Sequence, residues 1–240
     1  MSRIAAILPA AGLGTRMGAE TPKQFLELDG VPLVIFTLRR LAACPDISEF
    51  LIATLAEEEA ALSERVAKEK VGRPVRIVRG GGTRQESVGN ALSQVGSDAE
   101  IVLVHDAVRP LVTQGQIERA IAAAREHGAA IVGIPAMDTV KEVKRTSQPG
   151  DVALITATLP RERIVLAQTP QAFRTSILRE AYALAASDGF TASDEAGLVE
   201  RLGHSVYVVA GSTRNLKVTR PGDMELARFY LSEERRATKS

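Results

Sequence analysis

The chain has 240 residues, 45% of them hydrophobic, which is enough to bury a substantial core as one large domain or two small ones, and no long linker favours two. With 30 basic and 29 acidic residues the formal charge is +1, so nothing suggests the basic excess of a nucleic-acid binder, and aromatics at 4% count against base-stacking platforms; no nucleic-acid partner is expected. A single cysteine, Cys44, permits no internal disulfide, no signal-peptide pattern precedes the first strand, and the apolar runs fall far short of the roughly 20 residues that cross a bilayer, so a cytoplasmic protein without membrane contact is expected.

In chain order, short β-branched runs alternate with longer amphipathic ones. Strands are expected at Arg3–Leu8, Phe50–Thr54, Val75–Val78, Ile101–His105, Ala130–Ile134 and Val206–Ala210. Helices with apolar residues three or four apart are expected at Pro32–Ala43, Glu57–Lys70, Gln85–Val95, Gln116–His127, Arg174–Ser187 and Asp194–Leu202. Strands that are apolar throughout suit a sheet covered on both faces, and the alternation suits parallel crossovers. The expectation is an α/β fold: a three-layer, Rossmann-like, doubly wound, mostly parallel sheet, with residues 1–240 as a single domain.

One stretch breaks the alternation. Between Asp138 and Gln171 two β-rich runs, Val140–Arg145 and Ala153–Leu159, flank a Ser147-Gln-Pro-Gly150 turn with no helix between them, the pattern of an antiparallel hairpin. Such a hairpin either lies along the sheet edge or projects as an arm toward a partner subunit. The tail after Leu231 reads as a frayed helix end.

In an open α/β sheet, ligands gather beyond the carboxyl ends of the strands. After the first strand comes Pro9-Ala10-Ala11-Gly12-Leu13-Gly14-Thr15-Arg16, then Pro22-Lys23-Gln24. The small residues let backbone N–H groups approach phosphate oxygens, and Arg16 and Lys23 add charge, the chemistry of a triphosphate cradle; a structural turn is the plainer alternative. The spacing matches neither the dinucleotide fingerprint nor a Walker loop. After the third strand, Gly80-Gly81-Gly82-Thr83-Arg84-Gln85-Glu86-Ser87 is a flexible turn into a helix whose N–H groups and Ser87 hydroxyl suit a base edge.

After the fourth strand comes Val104-His105-Asp106-Ala107-Val108-Arg109. Asp106 suits Mg²⁺ or another divalent cation, or else caps the next helix. His105 reads as a packed residue rather than a general base. Lys217, in Asn215-Leu-Lys217-Val-Thr, reads on its own as part of a solvated basic loop. His127, His204 and Cys44 show no metal-ligand pattern, so no zinc site is expected.

Pro-Ala-Ala-Gly-x-Gly-x-Arg-Met followed by Pro-Lys-Gln resembles the opening of sugar-nucleotide pyrophosphorylases, and of the 2-C-methyl-D-erythritol 4-phosphate cytidylyltransferase family in particular. The likeness runs over essentially the whole chain, with all the segments above in the family's order. It implies CMP transfer from CTP to a small polyol phosphate with Mg²⁺, in non-mevalonate isoprenoid synthesis. By that resemblance Arg16, Lys23 and Lys217 are catalytic; Pro9, Ala10, Ala11, Gly12, Gly14, Gly81, Gly82, Ser87, Asp106 and Ala107 bind nucleotide; and Asp106 lies beside the metal. Arg109, Thr139, Arg161 and Thr169 bind the acceptor, Arg161 reaching across a homodimer interlocked through an arm at about 138–165.

Some relatives carry an acidic residue where Gly82 stands, so here that contact is absent or made by backbone. Ser193-Asp194-Glu195-Ala196 resembles the family's Thr-Asp-Glu-Ala helix start, with Ser193 keeping the capping hydroxyl. The chain's end is read as leaving no room for a fused cyclodiphosphate synthase. Two other readings stand beside this one: a ribitol- or other polyol-phosphate cytidylyltransferase, and a CTP-binding module without turnover.

The acceptor chemistry needs no base. A phosphate monoester has its second pKa at about 6 and is largely dianionic at neutral pH, so its oxygen is already a nucleophile. What remains is to bring two polyanions into line and neutralise the charge, which is work for cations.

Overall fold

The computed structural model describes residues 3–12, 22–144 and 153–237. Its elements are β1 (Arg3–Pro9), β2 (Glu27–Leu28), β3 (Val31–Pro32), α1 (Leu33–Ala42), β4 (Ile47–Thr54), α2 (Glu59–Ala67), β5 (Val75–Arg79), α3 (Arg84–Ser93), β6 (Ala99–Val104), α4 (Gln114–His127) and β7 (Ala129–Pro135). They continue with β8 (Val140–Lys144), β9 (Leu154–Leu159), β10 (Val165–Arg174), α5 (Thr175–Asp188), α6 (Glu195–Arg201), β11 (Tyr207–Ala210) and α7 (Pro221–Ala237). A seven-stranded sheet runs β11-β7-β10-β6-β1-β4-β5, parallel except for β10, with helices on both faces. The expected α/β architecture is thus observed, with each expected strand and helix present to within a few residues at its ends.

The strand sequences explain the layers. Along β1, Ile4, Ala6 and Leu8 join one apolar layer with Phe50, Leu38 and Ile117, while Ala5 and Ile7 join the opposite layer with Val88, Phe173 and Leu178. Because successive side chains alternate faces, a strand apolar at every position fills both layers and is stable only in the interior of a covered sheet. β1 has β4 on one side and β6 on the other, so its carboxyl end opens in the middle of the sheet.

Three elements differ from expectation. β10 replaces the connection expected before the helix at Arg174; its Pro170 argues against a central strand, yet the ladder with β7 breaks between Ala167 and Gln171 and takes the proline inside the irregularity. β2 and β3 form a two-residue antiparallel ribbon too short to leave a periodic trace. α7 begins well before the expected tail helix; only Met224, Ala227 and Leu231 are buried along it, a narrow stripe in a mostly charged segment. That stripe packs with Leu28, Leu33, Val108, Leu111 and Val218 into a third cluster, which fastens the loop after β6 to the segment carrying Lys217.

The arm is the antiparallel pair β8–β9, as expected; its Ser147–Gly150 turn lies outside the described residues. No helix among the described residues is long and apolar enough to cross a membrane.

Candidate active site

Loops from the carboxyl ends of β1, β4, β5 and β6 converge on a cavity of about 300 Å³. Pro9, Ala10, Ala11 and Gly12 form one wall with Lys23 and Gln24, and Gly81, Gly82, Thr83, Arg84 and Ser87 form the opposite one; Asp106, Val108 and Lys217 complete it. The structure therefore brings most of the expected nucleotide and catalytic residues to one place. Arg16 and Gly14 lie outside the described residues.

The two walls touch through residues that must be small. A Cβ on Gly80 would lie 2.4 Å from that of Ala11, while the Gly80 N–H donates to Thr54 O at 2.7 Å and Ala10 N–H to Ala53 O at 2.6 Å. Thr83 caps α3 by accepting from Glu86 N–H at 3.0 Å, and the Glu86 carboxylate accepts from Gly82 N–H at 2.7 Å. The Ser87 hydroxyl is engaged within the same loop, accepting from Gly81 N–H at 3.0 Å and donating to Thr83 O at 2.8 Å. Ser87 thus shapes the glycine turn, and its hydroxyl proton is already committed.

Asp106 stands at the carboxyl end of β6. It does not cap the next helix, because α4 begins eight residues on with Thr113 in a reciprocal capping box with Gln116. Instead its carboxylate gathers cations: Lys217 Nζ at 2.9 Å, Arg84 Nε at 3.2 Å and Arg109 Nε at 3.4 Å. Burial by itself would raise its pKa; Arg84, Lys217 and Arg109 outweigh that and hold the carboxyl far below the usual range. Arg84 extends the network, its Nη1 donating to both oxygens of the buried Glu195 at 2.8 and 2.9 Å. Neither Arg84 nor Glu195 stands out as a site residue in the sequence, since the arginine reads as part of a loop motif and the glutamate as part of a helix start. That helix is capped by Asp194, which accepts from Gly197 N–H at 3.1 Å, rather than by Ser193.

His105, beside Asp106, is fully buried, and burial pushes its pKa down to about 4. A neutral ring explains both of its bonds: Nε2–H donates to Arg109 O at 3.1 Å, and Nδ1 accepts from the Thr169 hydroxyl at 2.9 Å. Thr169 Oγ1 in turn accepts from Asp106 N–H at 3.0 Å. The break in the β10 ladder aims Thr169 at this point, and Asn215 secures it by donating to Thr169 O at 2.8 Å. Thr169 and Arg109 are 4% and 9% exposed and brace Asp106 from within, while the Ala107 carbonyl accepts from Thr37 at 2.9 Å.

His105 has a folded pKa below its ordinary 6.5, so its neutral form contributes stability that is full above 6.5 and declines as pH falls toward about 4. The stability difference between wild type and His105→Gln, followed by urea unfolding, is expected to shrink across that window. Turnover at neutral pH is expected to stay within about tenfold, since no base is removed.

The cavity does not receive Thr139 and Arg161. Both line a separate hollow at the base of the arm, where Arg161 Nη1 donates to Met137 O at 2.7 Å. Gln24 was missed as a wall residue: it is 1% exposed, and its side-chain amide atoms have no hydrogen-bond partner among the described residues. Also among the described residues, no group of three His, Cys, Asp or Glu side chains is placed to hold a metal.

The sequence profile of the 2-C-methyl-D-erythritol 4-phosphate cytidylyltransferase family matches residues 4–233. The chain belongs to this family. A family member from Acidobacterium capsulatum is 54% identical over 96% of this chain and 98% of its own, and one from Solibacter usitatus is 49% identical over 97% of each. Among solved structures, the cytidylyltransferase of Thermus thermophilus superposes with a TM-score of 0.74 at 36% identity, covering 94% of this chain and 97% of its own. The 4-diphosphocytidyl-2C-methyl-D-erythritol synthase of Anaerococcus prevotii gives 0.82 at 28%, covering 95% and 98%. The similarity spans both walls of the cavity, the arm and the Lys217 segment.

Proposed function

We propose that this cytidylyltransferase transfers CMP from CTP to 2-C-methyl-D-erythritol 4-phosphate, releasing pyrophosphate. The observation that carries the chemistry is the cluster at the carboxyl end of β6, where Lys217, Arg84 and Arg109 surround one buried carboxylate beside a glycine-lined cavity. Such a floor sets three cations against one carboxylate, and the neutral His105 beside it has both ring nitrogens engaged, by Arg109 O and the Thr169 hydroxyl; this suits a dianionic nucleophile that needs positioning and charge neutralisation. The triphosphate lies along Ala10–Gly12 with Lys23 and Lys217 at its phosphates, the base against Gly81–Ser87, and Arg16 completes the cation set.

One carboxylate at a cavity floor fits a hard divalent cation that takes the rest of its oxygens from substrate phosphates and water. Asp106 would hold Mg²⁺ together with the triphosphate, and the ion would supply further neutralisation of the departing pyrophosphate.

The acceptor site is completed across a homodimer. Exposed apolar residues on and beside the arm, Met137, Leu154, Ile155 and Leu166, favour burial against a second copy. Thr139 and Arg161, remote from their own cavity, are thereby offered to the partner's. The lone buried Cys44 accords with a reducing cytoplasm.

The test is pyrophosphate release with purified protein, CTP and Mg²⁺. Release with methylerythritol phosphate that stops on adding EDTA is expected; release with ribitol 5-phosphate alone would reassign the acceptor, and none with either would leave a CTP-binding module.

A further inference from the structure

The three cations around Asp106 are held very differently. Arg84 is gripped at both ends, by Asp106 Oδ1 at 3.2 Å and by both oxygens of Glu195 at 2.8 and 2.9 Å. Glu195 is 1% exposed and also accepts from the Tyr182 hydroxyl at 3.2 Å. Arg109 is tied a second time, to Asn215 O at 2.7 Å. Lys217 reaches Asp106 Oδ2 at 2.9 Å with a side chain 35% exposed, and it lines the cavity.

We infer that Arg84, clamped by Glu195, is the fixed holder of Asp106, and that Lys217 is the exchangeable one, leaving Asp106 for a phosphate oxygen when nucleotide enters. Arg84 and Glu195 are then positioning residues for the transfer. The charge logic requires the clamp. Arg84 also borders the cavity, and an arginine fork there would turn to the triphosphate were it not neutralised from behind; Glu195 supplies that neutralisation and leaves the fork on the carboxylate. With Arg84 and Arg109 in place, the carboxylate keeps two cationic partners after Lys217 departs and does not become an uncompensated buried charge. The inference rests on the proposed placing of Lys217 at the phosphates.

The experiment compares Arg84→Gln, Arg84→Lys, Glu195→Gln and Lys217→Gln, reading CTP Kd by calorimetry, kcat and the thermal midpoint. Arg84→Gln is expected to lower kcat on the order of 10- to 100-fold while CTP Kd stays within about threefold, because a misplaced group costs rate rather than ground-state binding. Arg84→Lys stays impaired, since an ammonium does not reproduce the planar fork that meets Asp106 through Nε and Glu195 through Nη1. Glu195→Gln shifts kcat in the same direction and carries the comparison if Arg84→Gln does not fold. Lys217→Gln weakens CTP binding by about tenfold or more.

Loss of CTP affinity in Arg84→Gln as large as in Lys217→Gln would make Arg84 a direct nucleotide ligand and overturn the inference. A lowered midpoint with unchanged kcat would reduce the clamp to a structural ion pair. Unchanged CTP binding in Lys217→Gln would refute the exchange, while product formation by the wild type in the same assay separately decides the functional reading.

Discussion

Asp106→Asn is expected to lower the thermal midpoint by roughly 6 to 20 °C and turnover on the order of 100- to 1000-fold. Both effects have one origin. The carboxylate is 5% exposed and is the shared partner of Lys217, Arg84 and Arg109. An amide of the same size leaves three cations facing one another with only Glu195 to offset them. Breaking a buried ion pair at one partner costs about 3–5 kcal/mol, because the remaining charges lose their compensation. The pH dependence gives a second check. Asp106 has a folded pKa held far below its unfolded value, so its contribution is present above the unfolded carboxylate range and disappears only in strong acid. The stability difference between wild type and Asp106→Asn should therefore be flat from about pH 5 to pH 9. A difference that declines across neutral pH, or a midpoint within about 2 °C of wild type, would show that the three cations do not depend on this carboxylate.

The second large effect tests the shared site. Arg161→Ala and Lys23→Ala homodimers are each expected to be nearly inactive, since each lacks one half of every site. In a mixed dimer, the intact Lys23 of one subunit meets the intact Arg161 of the other at one of the two sites. Equal random mixing makes about half of the dimers mixed, each with one working site, so activity should return to about one quarter of wild type. Subunits carrying different affinity tags allow the mixed species to be purified and its stoichiometry verified. No recovery in that species would place Arg161 and Lys23 in the same subunit's site. The observation behind this prediction is that Arg161 and Thr139 line a hollow at the base of the arm, apart from the cavity lined by Lys23.

Lys23, Gly81, Gly82, Ser87 and Asp106 were legible as candidates, because glycine turns, strand ends and cations leave local marks, whereas Lys217 reads on its own as part of a solvated loop and is a candidate only through the family resemblance. Their roles were less so. Ser87 looks like a hydroxyl offered to a base, yet its bonds to Gly81 and Thr83 shape the turn. Arg109 and Thr169 look like ligands for the acceptor, yet in the single chain they brace Asp106 and His105. Arg84 and Glu195 are legible only as members of a loop motif and a helix start, and their pairing is not, since nothing local joins residues 111 apart in sequence.

Composition and periodicity determined the class of this protein. A near-neutral charge gave no sign of a nucleic-acid surface, apolar strands alternating with amphipathic helices suited a covered, mostly parallel sheet, and the short glycine-rich segment with Lys23 marked where phosphate would lie. These features are written in neighbouring residues, so a linear reading reaches them. Tertiary structure alone decided that β10 runs antiparallel through the middle of the sheet, that α7 locks the Lys217 segment to the loop after β6, and that one buried carboxylate is held by three cations from separate segments. Those facts depend on partners distant along the chain. A side chain's charge and reach are properties of its residue type, but its partner is set by the packing that brings the two together.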